Sequence, residues 1–124
     1  MPRTSVVFYR ELDGEVPVLT WLAKLRKKDQ RAYAICVAAV ERLAALGHEL
    51  RRPLADLLRD GIYELRIRKG RVNYRILYFF HGQGLAILGQ AITKEDAVPD
   101  IEIERCLRRK RAFESNPEGH SYSE

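Results

Sequence analysis

The chain has 124 residues and a mass of 14.4 kDa, the size of one domain. Hydrophobic residues make up 46% and charged residues 31%, a composition that folds and that excludes a wholly disordered chain. No apolar run approaches the ~18 residues of a membrane span and no basic-then-apolar leader opens the sequence, so a cytoplasmic protein with no membrane partner is expected.

In chain order, residues 5–10 (Ser-Val-Val-Phe-Tyr-Arg) are rich in β-branched and aromatic side chains and predict a short strand. Pro17 suits the first turn of a helix, where its missing N–H is not needed; Val18, Leu19, Leu22 and Leu25 then form an apolar stripe, with Lys24, Arg26, Lys27 and Lys28 mostly off it. Asp29 can cap a second helix, whose face is Tyr33, Cys36, Val37, Val40, Leu43 and Ala44 and whose stop is Gly47. Residues 48–59 read as a loop or a single helical turn, and Asp60-Gly61 as a tight turn. Residues 62–68 alternate apolar and charged, as a strand with one wet face does. Residues 72–80 are nearly all apolar, which predicts a central strand covered on both faces, and 85–92 a further strand. Pro99 opens a last helix with Ile103, Cys106, Leu107 and Phe113 inward. Residues 1–113 thus form a single α+β domain: an N-terminal strand and a helical hairpin, an antiparallel meander and a C-terminal helix, with the helices on one face of the sheet. Residues 114–124 read as a polar, disordered tail.

The formal charge is +5, and residues 61–113 carry 11 basic and 6 acidic groups. A basic surface attracts polyanions by counterion release, though it also suits a plain solvated face. Strand residues two apart share a face, so Glu64, Arg66 and Arg68 project together. Arg75 interrupts the apolar central strand, where a charge is costly unless paired or used, and a turn at Lys69-Gly70-Arg71 brings it near Arg66. Several guanidinium groups on a sheet face suit phosphates, which accept bidentate hydrogen bonds. Arg68, Lys69 and Arg71 read first as solvated residues of an exposed basic turn and second as RNA contacts. Arg108 and Arg109, in the run covering the polar side of the last helix, fit either reading equally well. Phe8, Tyr9, Trp21 and Tyr33 read as core residues rather than stacking platforms. Cys36 and Cys106 read as buried thiols, and His48, His81 and His120 lack ligand spacing, so neither a metal site nor a cofactor is expected.

The runs Asp60-Gly61-Ile62-Tyr63-Glu64-Leu65-Arg66, Tyr74-Arg75-Ile76-Leu77-Tyr78, Thr93-Lys94 before Pro99, and Glu102-Ile103-Glu104 leading to Arg108-Arg109 resemble the HigB/RelE-type toxins of type II toxin–antitoxin modules, in particular the phage-derived HigB-like group. The resemblance implies a RelE/ParE-like fold, a ribosome-dependent endoribonuclease that cuts mRNA, and a cognate antitoxin, often a helix-turn-helix HigA-like protein. It places Arg66 and Arg75 at basic positions of the meander, Lys94 at the basic position after the last strand, and Glu64 in the Glu-Leu-Arg motif. Lys94-Glu95 stands where this branch usually has two lysines, and the last helix offers no match for the catalytic tyrosine of some relatives. Arg66 and Arg75 then bind phosphate and transition-state charge, with Glu64 or Lys94 as the proton-transfer group. Nearby arginines are expected to keep Glu64 ionised and weakly basic. Two other readings stay open: a non-catalytic ParE-like toxin acting on DNA gyrase, and a nucleic-acid-binding module without toxicity.

Overall fold

A computed structural model describes residues 3–94 and 97–123, with Lys94 described through its backbone alone. The elements run β1 (Ser5–Tyr9), α1 (Pro17–Lys28), α2 (Gln30–Leu46), β2 (Ala55–Arg59), β3 (Ile62–Lys69), β4 (Val72–His81), β5 (Leu85–Lys94), α3 (Asp100–Ser115) and β6 (Ser121–Tyr122). The described residues form an α+β structure, three helices on an open, mostly antiparallel six-stranded sheet, consistent with a RelE-like fold. Strand order is β2-β3-β4-β5-β1-β6. β2 to β5 make an antiparallel meander, while β1 lies parallel to β5.

Local chemistry explains the helical corner. The Asp29 backbone N–H donates to the Leu25 carbonyl at 2.7 Å, ending α1, while its carboxylate accepts from the Ala32 N–H at 3.0 Å, starting α2. One residue thus closes one helix and opens the next, so the pair turns with almost no loop. Asp60 and Gly61 both have positive φ, 53° and 79°, which is the backbone that a two-residue hairpin between β2 and β3 requires.

The helices occupy both faces of the sheet, not one. Val18, Leu22 and Leu25 of α1 and Cys36, Ala39 and Leu43 of α2 pack on Leu65, Ile67, Tyr74, Ile76, Tyr78 and Leu88. Ile103, Cys106, Leu107 and Phe113 of α3 pack on Tyr9, Ile62, Leu77, Phe79 and Ile87 from the other side. The cause lies in β4: residues 76–79 are apolar on both parities, so both faces of the centre need cover. Gly89 admits α3 to the sheet, because a Cβ there would lie 2.7 Å from Cys106 Sγ and 3.3 Å from the Phe79 ring.

Two segments depart from the sequence expectation. Residues 55–59 form the strand β2 rather than a loop. A register shift between Leu57 and Arg59 breaks its alternation, which hides the strand period. The described residues after 113 take up secondary structure where a loose tail was expected: α3 continues to Ser115, and β6 pairs with β1. His120 is buried there, stacked on the Tyr9 ring at 5.2 Å, with its Nδ1 2.8 Å from the Arg10 carbonyl. No helix among the described residues is long and apolar enough to cross a membrane.

Candidate functional site

The register of β3 on β4 sets Arg66 directly opposite Arg75 and Glu64 opposite Leu77, and β2 sets Asp56 opposite Glu64. Directly paired residues share a face, so Asp56, Glu64, Arg66 and Arg75 all project to the side that carries α3. α3 covers the apolar part of that face and stops short of these charges. What is left open is a cleft of about 370 Å³ lined by Arg52, Asp56, Leu58, Glu64, Arg66, Arg75, Ala97 and Val98. The sequence expectation that Arg66, Arg75 and Glu64 converge is met in this geometry.

Glu64 sits at the centre. It is only 7% exposed, and Arg75 8%. Arg75 Nε lies 2.9 Å from Glu64 Oε1, and Arg66 Nε lies 4.0 Å from Oε2. The Arg75 contact is close but poorly aligned, so its buried Nε finds no hydrogen-bond acceptor among the described residues. Arg66 differs, with 37% of its side chain exposed at the mouth. Burial pushes the Glu64 carboxyl above its ordinary 4.5, with Asp56 acting in the same direction, and this outweighs the opposing pull of Arg75 and Arg66. The expectation of a weakly basic Glu64 held down by arginines is therefore corrected, because desolvation dominates.

Arg52 and Asp56 are cleft residues that sequence reasoning missed. They pair at 2.6 Å on the outer wall, with Arg52 largely exposed. Their only sequence signal is a charge pair at i, i+4, and the strand that positions Asp56 had been hidden by the bulge.

The remaining site expectations scatter. Lys69 points to the opposite face and pairs with Asp29 at 2.6 Å. Arg68 is exposed near the turn, its Nε donating to the Gly70 carbonyl at 2.8 Å, and Arg71 is exposed on the turn itself. Arg108 is exposed on α3, eight residues past Asp100 and so roughly 12 Å along the helix from the cleft end. Arg109 is not on the polar side at all. It is 9% exposed and donates to the Gly89 carbonyl at 2.7 Å and to Gln90 Oε1 at 3.1 Å. Its guanidinium also lies 5.8 Å from the Tyr9 ring centroid. A buried arginine needs such partners, and Arg109 acts as a pin between α3 and β5. The backbone of Lys94 pairs with Asn73 at the end of β5, but its side chain lies outside the described residues, as do Glu95 and Asp96.

Both cysteines are free and buried, and burial pushes each thiol up to about 12, so neither is a nucleophile near neutral pH. Among the described residues no three His, Cys, Asp or Glu side chains gather into a metal-binding group.

No curated protein matches the chain. A family model does match, that of Phage derived protein Gp49-like (DUF891), over residues 20–111. The match spans well over half of the sequence and takes in most of α1 through most of α3, including every charged residue of the cleft. The chain therefore belongs to the Gp49-like family of phage-derived proteins, a toxin–antitoxin-associated family.

Proposed function

We propose that the protein is the toxin of a type II toxin–antitoxin pair, of HigB/RelE type, and that it acts as a ribosome-dependent endoribonuclease on mRNA. The observation that carries this reading is the cleft, where two guanidinium groups and one buried carboxylate of raised pKa converge in a space suited to a single phosphodiester step.

Cleavage of this kind needs the RNA 2′-hydroxyl to attack the adjacent phosphorus in line. Glu64 takes that proton. Its burial makes it a stronger base than an exposed carboxylate, and the Arg75 contact orients it. Arg66, partly exposed at the mouth, meets the phosphate, and Arg75 adds charge from beneath as the transition state becomes more anionic. Arginine cannot serve as the base because it stays protonated. Lys94 is the second proton-transfer group, acting at the leaving 5′ oxygen. The ribosome supplies the orientation of the mRNA strand. Arg68 and Arg71 near the β3–β4 turn, and Arg108 on α3, are outer contacts for the RNA backbone. A helix-turn-helix HigA-like antitoxin is the expected inhibitor, in keeping with the family's toxin–antitoxin association.

The test is induction of the wild type, Arg66→Ala and Glu64→Gln in a bacterial host, with mapping of mRNA 5′ ends. Arg66 is exposed enough for its substitution to leave the fold intact, which circular dichroism checks. Codon-linked cuts with the wild type, reduced about 100-fold or more in either folded variant, support the reading. Growth arrest with DNA damage and intact mRNA would replace it with gyrase poisoning.

A further inference from the structure

A second recess, of about 930 Å³, opens between the C-terminal half of α1 and the ends of β4 and β5. Its lining includes Trp21, Lys24, Leu25, Lys28 and Tyr74, and its size falls within the ~300–1,000 Å³ of ordinary ligand clefts. Trp21, Lys24, Leu25 and Lys28 stand at i, i+3, i+4 and i+7, so they share one face of the helix. The sequence placed Trp21 in the core. The structure leaves it only half-buried, resting edge-on against Tyr74 at 6.0 Å while lining the groove.

Among the described residues, the charge of the groove is one-sided. Lys24 and Lys28 are exposed, and no ion pair joins either to a described residue. The acid beside them, Asp29, is already occupied: Lys69 holds its Oδ2 at 2.6 Å and the Ala32 N–H its Oδ1 at 3.0 Å. Lys28 stands in the last turn of α1, where the helix dipole favours a cation, which accounts for its charge but not for that of Lys24 one turn earlier. Nor does it account for an aromatic and apolar floor beneath that charge. The position of the groove adds to this. The groove lies on the face of the sheet opposite the arginine cleft, and Ala97, in the loop that follows β5, lines both, so the two recesses approach each other round the end of the sheet. The cleft has less than half the volume of the groove, so a strand with one step in it must send its next nucleotide elsewhere.

We propose that this groove binds a nucleotide of the same single-stranded RNA beyond the scissile step, where the strand has passed round the end of the sheet, its base stacked against Trp21 and its phosphates held by Lys24 and Lys28. The proposal rests on the reading of the cleft as an RNA site. An indole face takes any base, so the groove adds affinity without sequence preference.

Trp21 is the single tryptophan of the chain, so intrinsic fluorescence reports on this groove alone. The experiment titrates the full chain with a 10-nucleotide 2′-O-methyl RNA, which lacks the attacking hydroxyl and is not cut. Total binding is followed by the anisotropy of a dye on the oligonucleotide. A saturable quench of Trp21, an about tenfold weaker affinity in Lys24→Gln/Lys28→Gln, and a saturating quench retained in Arg75→Ala support the groove. The two lysines are exposed, so their replacement does not endanger the fold. Three results overturn it: no binding, binding without quench, or an equal quench by inorganic polyphosphate, which has charge but no base. The two readings fail separately. A chain that quenches but never cuts RNA keeps the groove and loses the nuclease. A chain that cuts RNA without a quench keeps the nuclease and loses the groove.

Discussion

Glu64 and Arg75 show how a charged pair inside a sheet can be set up for use rather than for stability. The carboxylate is desolvated, and its nearest cation makes a short but misaligned contact. A raised folded pKa means that the folded protein holds the Glu64 proton more tightly than the unfolded chain. The stability it lends is therefore complete below 4.5 and is lost as pH rises through the folded value. The stability difference between wild type and Glu64→Gln should accordingly move against the wild type as pH increases from 4 to 7, by denaturant titration at fixed pH points. Activity runs the other way, since the base must be ionised. The cleavage rate should rise with pH through an acid limb centred above 4.5, and that limb should vanish with the residual activity of Glu64→Gln. A different experiment separates the two neighbouring arginines of α3. Arg109→Met removes the donor to the Gly89 carbonyl and should cost about 1–3 kcal/mol, whereas Arg108→Ala on the exposed face should fall within about 0.5 kcal/mol. Equal thermal shifts for the two would contradict their placement. That contrast was invisible in the sequence, where Arg108 and Arg109 are adjacent basic residues. Which of them faces inward depends on the contact made by the neighbouring strand.

At the level of elements, period was the legible signal. The alternation in residues 62–68 and the apolar run of 72–80 marked β3 and β4, and with them the shared face of Arg66 and Arg75. Asp29 and Gly47 marked the limits of α2. β2 was illegible because a bulge places Leu57 and Leu58 out of alternation, and Leu57 is 52% exposed at the sheet edge. The placement of α3 was open for another reason: its apolar stripe says that it packs on a sheet, but not on which side. Gly89 is the feature that lets α3 lie close. Gly89→Ala would press a methyl group against Cys106 and Phe79, and should lower stability by about 1–3 kcal/mol through overpacking. Calorimetry should then show a drop in Tm of several degrees. An unchanged Tm would mean that α3 has room to spare.

For the molecule as a whole, the cleft depends on layers that were assembled from distant parts of the chain. The arginine wall comes from the meander and the lid edge from Ala97 and Val98. β1 and β6 lie at the far side of the sheet from β2 and contribute nothing to that wall. Removing the chain from Pro117 onward should therefore lower Tm by a few degrees, since it uncovers Tyr9 and deletes the His120 stack, while mRNA cleavage persists. Loss of cleavage in a folded truncation would tie the tail to the site. On the proposed toxin reading, the parallel pairing of β1 with β5 also bears on when the protein becomes active. Ser5–Phe8 must wait for Leu85–Leu88 before they have a neighbour, and Phe8 and Tyr9 wait longer for Tyr122 and Ser121. Such long-range closure is slow and comes late. During synthesis the emerging polypeptide thus carries an unfinished sheet until nearly all of these segments have been translated, and the antitoxin proposed above would have that interval in which to meet it before the proposed site is complete.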